Sequence, residues 1–221
     1  MPFAMGGRLI RAVLFDMDGT LLESEWLSAI SNDIAFETVF GRHITRGEVK
    51  ELTGRPVSEI LREKYGEKGD EVYALSRAFF RRNSRAVSLY PGVLEALKHI
   101  SRKARLAVVT ASKREDAVRL LCINCILDYF STIVAQEDTR YHKPDPEPVL
   151  LALSRLSVTP GEAVMVGDQP WDIIAAREAG VVSVAALWGA GIEDELYMYR
   201  PDYTARDPAE LVEIFERLMQ A

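Results

Sequence analysis

A chain of 221 residues with 27 Lys and Arg against 33 Asp and Glu, a formal charge of −6, can hold one substantial core and a smaller module. It is too acidic to offer the concentrated basic face that binding a nucleic-acid backbone requires. Its 48% hydrophobic content is ordinary for a globular protein, no apolar stretch approaches the roughly 20 residues of a membrane span, and residues 1–7 lack a basic region followed by an apolar run, so a cytoplasmic location is expected.

In chain order, the first element is a strand over residues 10–15, apolar enough to be buried on both faces of a parallel sheet. It runs into Asp16-Met17-Asp18-Gly19-Thr20-Leu21-Leu22. Ligands of open parallel sheets bind beyond the carboxyl ends of the strands, which puts Asp16 at the functional edge, where an unpartnered charge is expensive to bury. Asp18 can point to the same side while Gly19 turns the chain away. The pair can share a divalent cation or divide nucleophilic and acid/base roles; a capped turn is the plainer alternative. A calcium loop is excluded because no closing glutamate follows.

Residues 25–88 show helical periodicity and no convincing strand: Ile30, Ile34, Val39 and Phe40 first, then residues 57–65 and 72–80. Within this stretch, Leu52-Thr53-Gly54-Arg55-Pro56 reads as an inter-helix turn in which Gly54 frees the backbone and Arg55 can reach an anionic group as a bidentate donor. His43 reads as an exposed loop residue. Arg81-Arg82-Asn83-Ser84-Arg85 reads as a solvated helix end, with recognition of an anionic substrate tail as its alternative.

Strands are expected at residues 105–109, 132–134, 163–166 and 182–186, separated by helices at 91–101, 115–122, 147–156 and 171–179. That alternation implies a three-layer α/β fold with a parallel sheet. A final helix, residues 207–219, should pack Leu211, Ile214, Phe215 and Leu218 on the core. Chemistry-bearing residues fall at the strand ends: Thr110 with Ala111, Lys143 ahead of a helix that Pro146 or Pro148 helps to start, and Asp168 with Asp172. Cys122 and Cys125 lack the two further ligands of a zinc site, and are expected to be core or partly buried thiols.

The string from Asp16 to Leu22 resembles the first motif of the haloacid dehalogenase superfamily of phosphatases and phosphotransferases. Thr110, then Lys143-Pro144-Asp145-Pro146-Glu147-Pro148, then Gly167-Asp168 with Asp172, resemble the other three motifs in their order, so the likeness spans the whole chain. It implies a Rossmann-like core from residues 1–22 and 89–221, re-entered at Tyr90-Pro91-Gly92-Val93. A small helical cap, residues 23–88, is inserted after the first strand, as in relatives of phosphoglycolate phosphatase and β-phosphoglucomutase. The activity implied is Mg²⁺-dependent hydrolysis of a small phosphate monoester through an aspartyl-phosphate. Asp16 would be the nucleophile and Asp18 the acid/base. Thr110 and Lys143 would complete the catalytic set, and Met17, Ala111, Gly54 and Arg55 would bind substrate. The ion would sit on Asp16, the backbone carbonyl of Asp18, and Asp168, with Asp172 supporting. Two alternatives stand beside this: a sugar-phosphate mutase, which Thr20 disfavours because such mutases typically carry Val there, and a non-catalytic phosphate-binding protein. The partner implied is a small phosphorylated metabolite, neither nucleic acid nor membrane, met by a monomer or weak homodimer.

Overall fold

The computed structural model describes residues 10–220; the reading of residues 1–7 lies outside them. Six strands form one sheet: β1 (Ala12–Phe15), β2 (Arg105–Val109), β3 (Phe130–Val134), β4 (Ala163–Gly167), β5 (Val182–Ala186) and β6 (Tyr203–Ala205), in the order β3-β2-β1-β4-β5-β6. Every pairing is parallel.

Side chains alternate across a pleated strand, and the two sets here feed two different cores. Val13, Phe15, Leu106, Val108, Val164 and Val166 face one way. There they meet α5 (Val93–Ile100), α6 (Arg114–Ile123) and α10 (Pro208–Gln220). Ala12, Leu14, Ala107, Val109, Ala163 and Met165 face the other, against α7 (Glu147–Leu156) and α8 (Pro170–Glu178). With both faces covered, the strands need continuous apolar runs, which is how they were recognisable. This is the three-layer Rossmann-like arrangement expected. The chain passes from β1 to β2 on one side and later returns to β4 on the other, so the order reverses at β1, where such sheets bind ligands.

Four helices lie between β1 and β2 in the chain: α1 (Glu25–Phe40), α2 (Arg46–Leu52), α3 (Val57–Tyr65) and α4 (Glu67–Asn83). They bury Ala35, Phe36, Leu52, Ile60, Leu61 and Val72 in a cluster of their own. The helical stretch is present as expected, but its first helix is turned. Ile30 and Ile34 are exposed, at 46% and 39%, as is Trp26, at 43%. Leu27, Ser31, Ala35 and Phe36 face inward instead. A buried serine disguised that face; its hydroxyl is satisfied by donating to the Leu27 carbonyl at 2.6 Å.

Other differences are local. Strand β3 starts two residues earlier than expected. The three-residue β6 and α9 (Glu193–Met198) were not anticipated, one being very short and the other opening on three consecutive acids. Both cysteines are exposed, correcting their assignment to the interior: Leu121 and Ile126 take the inward positions. Of the basic run, Arg82 and Arg85 are solvated, but Arg81 pairs with Asp116 and Glu115. His43 is exposed, beside Asp33.

Glu48 anchors the helical stretch. It closes a capping box with Thr45, accepts two bonds from Arg42 at 2.7 and 3.0 Å, and accepts the Tyr65 hydroxyl. Glu48→Ala is expected to cost about 1–3 kcal/mol, since several donors lose their acceptor. The bonds from Arg42 hold the Glu48 carboxyl well below its ordinary value of 4.5. Its contribution is therefore fully present above 4.5 and is lost as the pH falls toward the folded-state value. Thermal unfolding should accordingly show a gap between wild type and variant at pH 7 that narrows below pH 4.5; a gap that is absent, or constant with pH, would refute the assignment.

Candidate active site

At the carboxyl end of β1 the backbone N–H of Asp16 still donates to the Val166 carbonyl, at 2.9 Å, so the sheet itself fixes where this carboxylate starts. The following turn depends on Gly19. Its φ is +86°, a conformation costly for other residues, and a Cβ there would lie 2.3 Å from Glu25 Oε1 and 2.5 Å from Asp168 Oδ2. The bare backbone lets the acidic groups close over it.

Asp16 is 4% exposed, Lys143 5% and Asp172 1%. Lys143 Nζ donates to Asp16 Oδ1 at 2.7 Å, to Asp172 Oδ1 at 2.6 Å and to the Val109 carbonyl at 3.0 Å. All three ammonium donors are thereby used, and strands β1 and β2 are joined to helix α8 through one cation. Burial works against that ammonium, but the charges of Asp16 and Asp172 outweigh it and hold Lys143 protonated, above its ordinary range. Asp16 goes well above its own: burial raises it, Lys143 opposes, and Asp172 and Asp168 reinforce.

Asp168, fully buried, accepts from Thr20 Oγ1 at 2.9 Å and from Gln169 Nε2 at 2.8 Å. Burial, and then the charge of Asp172, push it up to about 7. Glu25 rises to about 8, through burial and the charges of Asp168 and Asp18. Four carboxylates against one buried cation leave the site short of positive charge.

Asp16, Asp168 and Asp172 each offer an oxygen, all within 4.8 Å of one another. Such hard, crowded oxygens fit a small divalent cation. Asp172 is engaged through Oδ1 by the charged Lys143 and through Oδ2 by the Gln169 N–H at 3.0 Å, and Asp168 at both oxygens by the neutral donors Thr20 and Gln169, which leaves Asp16 Oδ2 as the carboxylate oxygen of the three with no donor among the described residues. Asp172 thus lies beside the lysine, 2.6 Å from its Nζ.

Asp18 is turned otherwise. Its carboxylate accepts from Ser24 Oγ at 2.6 Å and Ser112 Oγ at 2.7 Å. The sequence reading missed both serines. Ser24 is the N-cap of α1 but makes no capping bond, and Ser112 stands two residues past Thr110. Each looked like ordinary turn chemistry.

Asp16 and Asp18 line a cavity of about 500 Å³, together with Gly54, Arg55, Thr110 and Ala111. Lys143, Asp168 and Asp172 stand outside its lining, in the buried network around Asp16. The Met17 side chain does not reach the cavity; it is packed in the core, so only its backbone is available to a ligand. Arg55 lies over the Trp171 ring, 5.7 Å from its centroid, with no carboxylate partner among the described residues. The lining also includes Trp26, Leu52, Val57, Tyr73 and Phe80, all five from the four inserted helices. Those helices also touch the core directly. Trp171 Nε1 donates to the Thr53 carbonyl at 3.3 Å, Gln136 Nε2 to Ser58 Oγ at 3.1 Å and Glu59 Oε1 at 2.9 Å, and His142 lies 3.0 Å from Glu59.

Among curated proteins, the chain is 33% identical over 212 residues to pyrophosphatase PpaX of Bacillus velezensis, covering 95% of this chain and 98% of the relative. It is 32% identical to pyrophosphatase PpaX of Halalkalibacterium halodurans, covering 93% and 96%. Among solved structures, a predicted phosphoglycolate phosphatase of Haemophilus somnus superposes with a TM-score of 0.82 at 23% identity, covering 95% of this chain and 98% of that one; at that identity it shares the fold. The family model for haloacid dehalogenase-like hydrolases matches residues 13–186, from β1 to the end of β5, and the chain belongs to that family.

Proposed function

We propose that this protein is a phosphatase that hydrolyses a small organic phosphate monoester through an aspartyl-phosphate on Asp16, with residues 23–88 as a cap over a core of residues 1–22 and 89–221. The observation that carries the reading is the placement of Asp16. It is a buried carboxylate on the wall of a ligand-sized cavity, held at one oxygen by a protonated lysine.

Asp16 attacks phosphorus in line, and the bond to the alcohol oxygen breaks as Asp18 supplies its proton. Asp18 then takes a proton from the water that hydrolyses the phosphoenzyme. Ser24 and Ser112 keep the Asp18 carboxylate directed for both transfers, while the Thr110 hydroxyl and the Ala111 N–H hold the phosphoryl group. Mg²⁺, held by Asp16, Asp168 and the Asp18 carbonyl, would supply positive charge to the transferring oxygens. Lys143 contributes to that charge and opposes the rise that burial imposes on Asp16. The protein would act on a free metabolite in the cytoplasm, as a monomer or weak homodimer.

The apolar side chains that share the cavity with Asp16 favour an organic ester. Pyrophosphate, the substrate in the names of the relatives, would leave Trp26, Tyr73 and Phe80 facing water; Arg55, without a carboxylate partner among the described residues, is the feature that favours it as a second anion site. Phosphate release from a panel of monoesters and inorganic pyrophosphate, with Mg²⁺, separates the two. A tenfold preference in kcat/KM for pyrophosphate would replace the ester reading. Glucose 6-phosphate forming faster than free phosphate, from β-glucose 1-phosphate with a trace of 1,6-bisphosphate, would replace hydrolysis by a mutase reaction.

Arg55→Ala is expected to reduce kcat/KM for the preferred ester by roughly 1.5–3 kcal/mol, the range of a charge-assisted hydrogen bond. Hydrolysis of p-nitrophenyl phosphate, which lacks a second anionic group, should change little. Equal losses on both would move Arg55 to general phosphate binding or folding.

A further inference from the structure

Glu25 opens helix α1, and the roles proposed above make no use of it. Its Oε1 is buried with no hydrogen-bond partner among the described residues, and its Oε2 stands 3.5 Å from the Tyr90 hydroxyl. A Cβ built on Gly19 would meet Glu25 Oε1 at 2.3 Å and the two Asp168 oxygens at 2.5 and 2.7 Å. The carboxylates of Glu25 and Asp168 therefore converge over one bare Cα.

The two are not equivalent. Asp168 is fixed by donors, from Thr20 and Gln169; Glu25 Oε1 has none. A buried carboxylate oxygen beside a second carboxylate needs a donor or a cation. A small divalent ion on Asp16 and Asp168 retains several waters, and water bound to a cation directs its protons outward, making it the donor that Oε1 lacks. We propose that Glu25 is a positioning residue for the metal centre, accepting a hydrogen bond from a water of the hydrated divalent ion and so fixing the orientation of its hydration shell. This rests on the divalent-ion reading of the site but extends it to a side chain outside the four motifs.

The test compares the full-length chain with Glu25→Gln, stripped of metal and titrated with Mn²⁺, the free ion being read by its electron paramagnetic resonance signal and Mg²⁺ by competition. Glu25→Gln keeps the shape and removes the charge, and is expected to weaken ion binding about 10- to 100-fold, the range for residues that support a metal's direct ligands. The Mg²⁺ concentration for half-maximal activity should rise in parallel, with KM for the ester unchanged. The metal-free variant should unfold at or above the wild-type temperature, because the amide keeps the shape of the carboxylate without placing a second negative charge beside Asp168. Glu25→Asp, which keeps the charge but shortens its reach, should fall between the two and covers the case in which the amide fails to fold.

Equal Mn²⁺ affinity in wild type and Glu25→Gln would overturn the proposal. So would unchanged ion affinity with a raised ester KM, which would assign Glu25 to the substrate. Failure of the wild type itself to bind Mn²⁺ would overturn the ion reading beneath it, a result distinct from both.

Discussion

Asp16→Asn is expected to reduce kcat at least about a thousandfold, roughly 4 kcal/mol of activation free energy, while leaving the protein folded and no less stable. The amide oxygen can still accept from Lys143, but an amide does not attack phosphorus. The stability half follows from burial: with the carboxyl pushed well above its usual range by desolvation and by Asp172 and Asp168, the neutral amide relieves strain that the acid carries. Steady-state kinetics together with thermal unfolding of the metal-free proteins read both parts. Retention of more than about a tenth of wild-type kcat, a loss of only some 1.4 kcal/mol, would remove Asp16 as nucleophile.

Lys143→Met should be damaging to both fold and turnover. Methionine fills much of the volume but leaves Asp16 and Asp172 facing each other in the interior and the Val109 carbonyl without its donor. Removing one partner of a buried ion pair costs about 3–5 kcal/mol, measurable at neutral pH by urea unfolding. The double variant with Asp172→Asn should recover part of that stability, because the two sites share one network, yet recover no activity. A single variant with unaltered unfolding would show that the lysine does not neutralise its neighbours.

The sheet was legible in the sequence because its strands are covered on both faces, so that Ala12 to Phe15 and Ala163 to Val166 are uninterrupted apolar runs. The strand-end residues of the candidate site were legible as a group because parallel topology sends them to the same edge, whatever their distance along the chain. Pairings between loops were not. Nothing in the sequence says that Ser24 and Ser112, 88 positions apart, converge on Asp18, since each hydroxyl is short and promiscuous in its partners. Helix α1 was misread for a related reason. Periodicity identifies an apolar stripe but not which stripe wins when two compete, and here a self-satisfied Ser31 stood in the winning one. Exposure of the cysteines had the same origin, since Leu121 and Ile126 outcompete them for the interior.

The chain enters and leaves the four inserted helices at adjacent points. Leu22 bridges to Leu89 in antiparallel fashion, the Glu23 N–H donates to the Ser88 carbonyl at 2.9 Å, and the Tyr90 N–H donates to the Leu21 carbonyl at 3.1 Å. The insert is therefore joined to the core covalently through one double-stranded stem, like a page to its spine. Closing a longer loop through such a stem adds little entropy cost, about 0.6 kcal/mol for each doubling of length. Evolution can consequently lengthen, shorten or exchange what lies beyond the stem, and with it part of the cavity lining, while the carboxylates and the lysine stay where the sheet puts them.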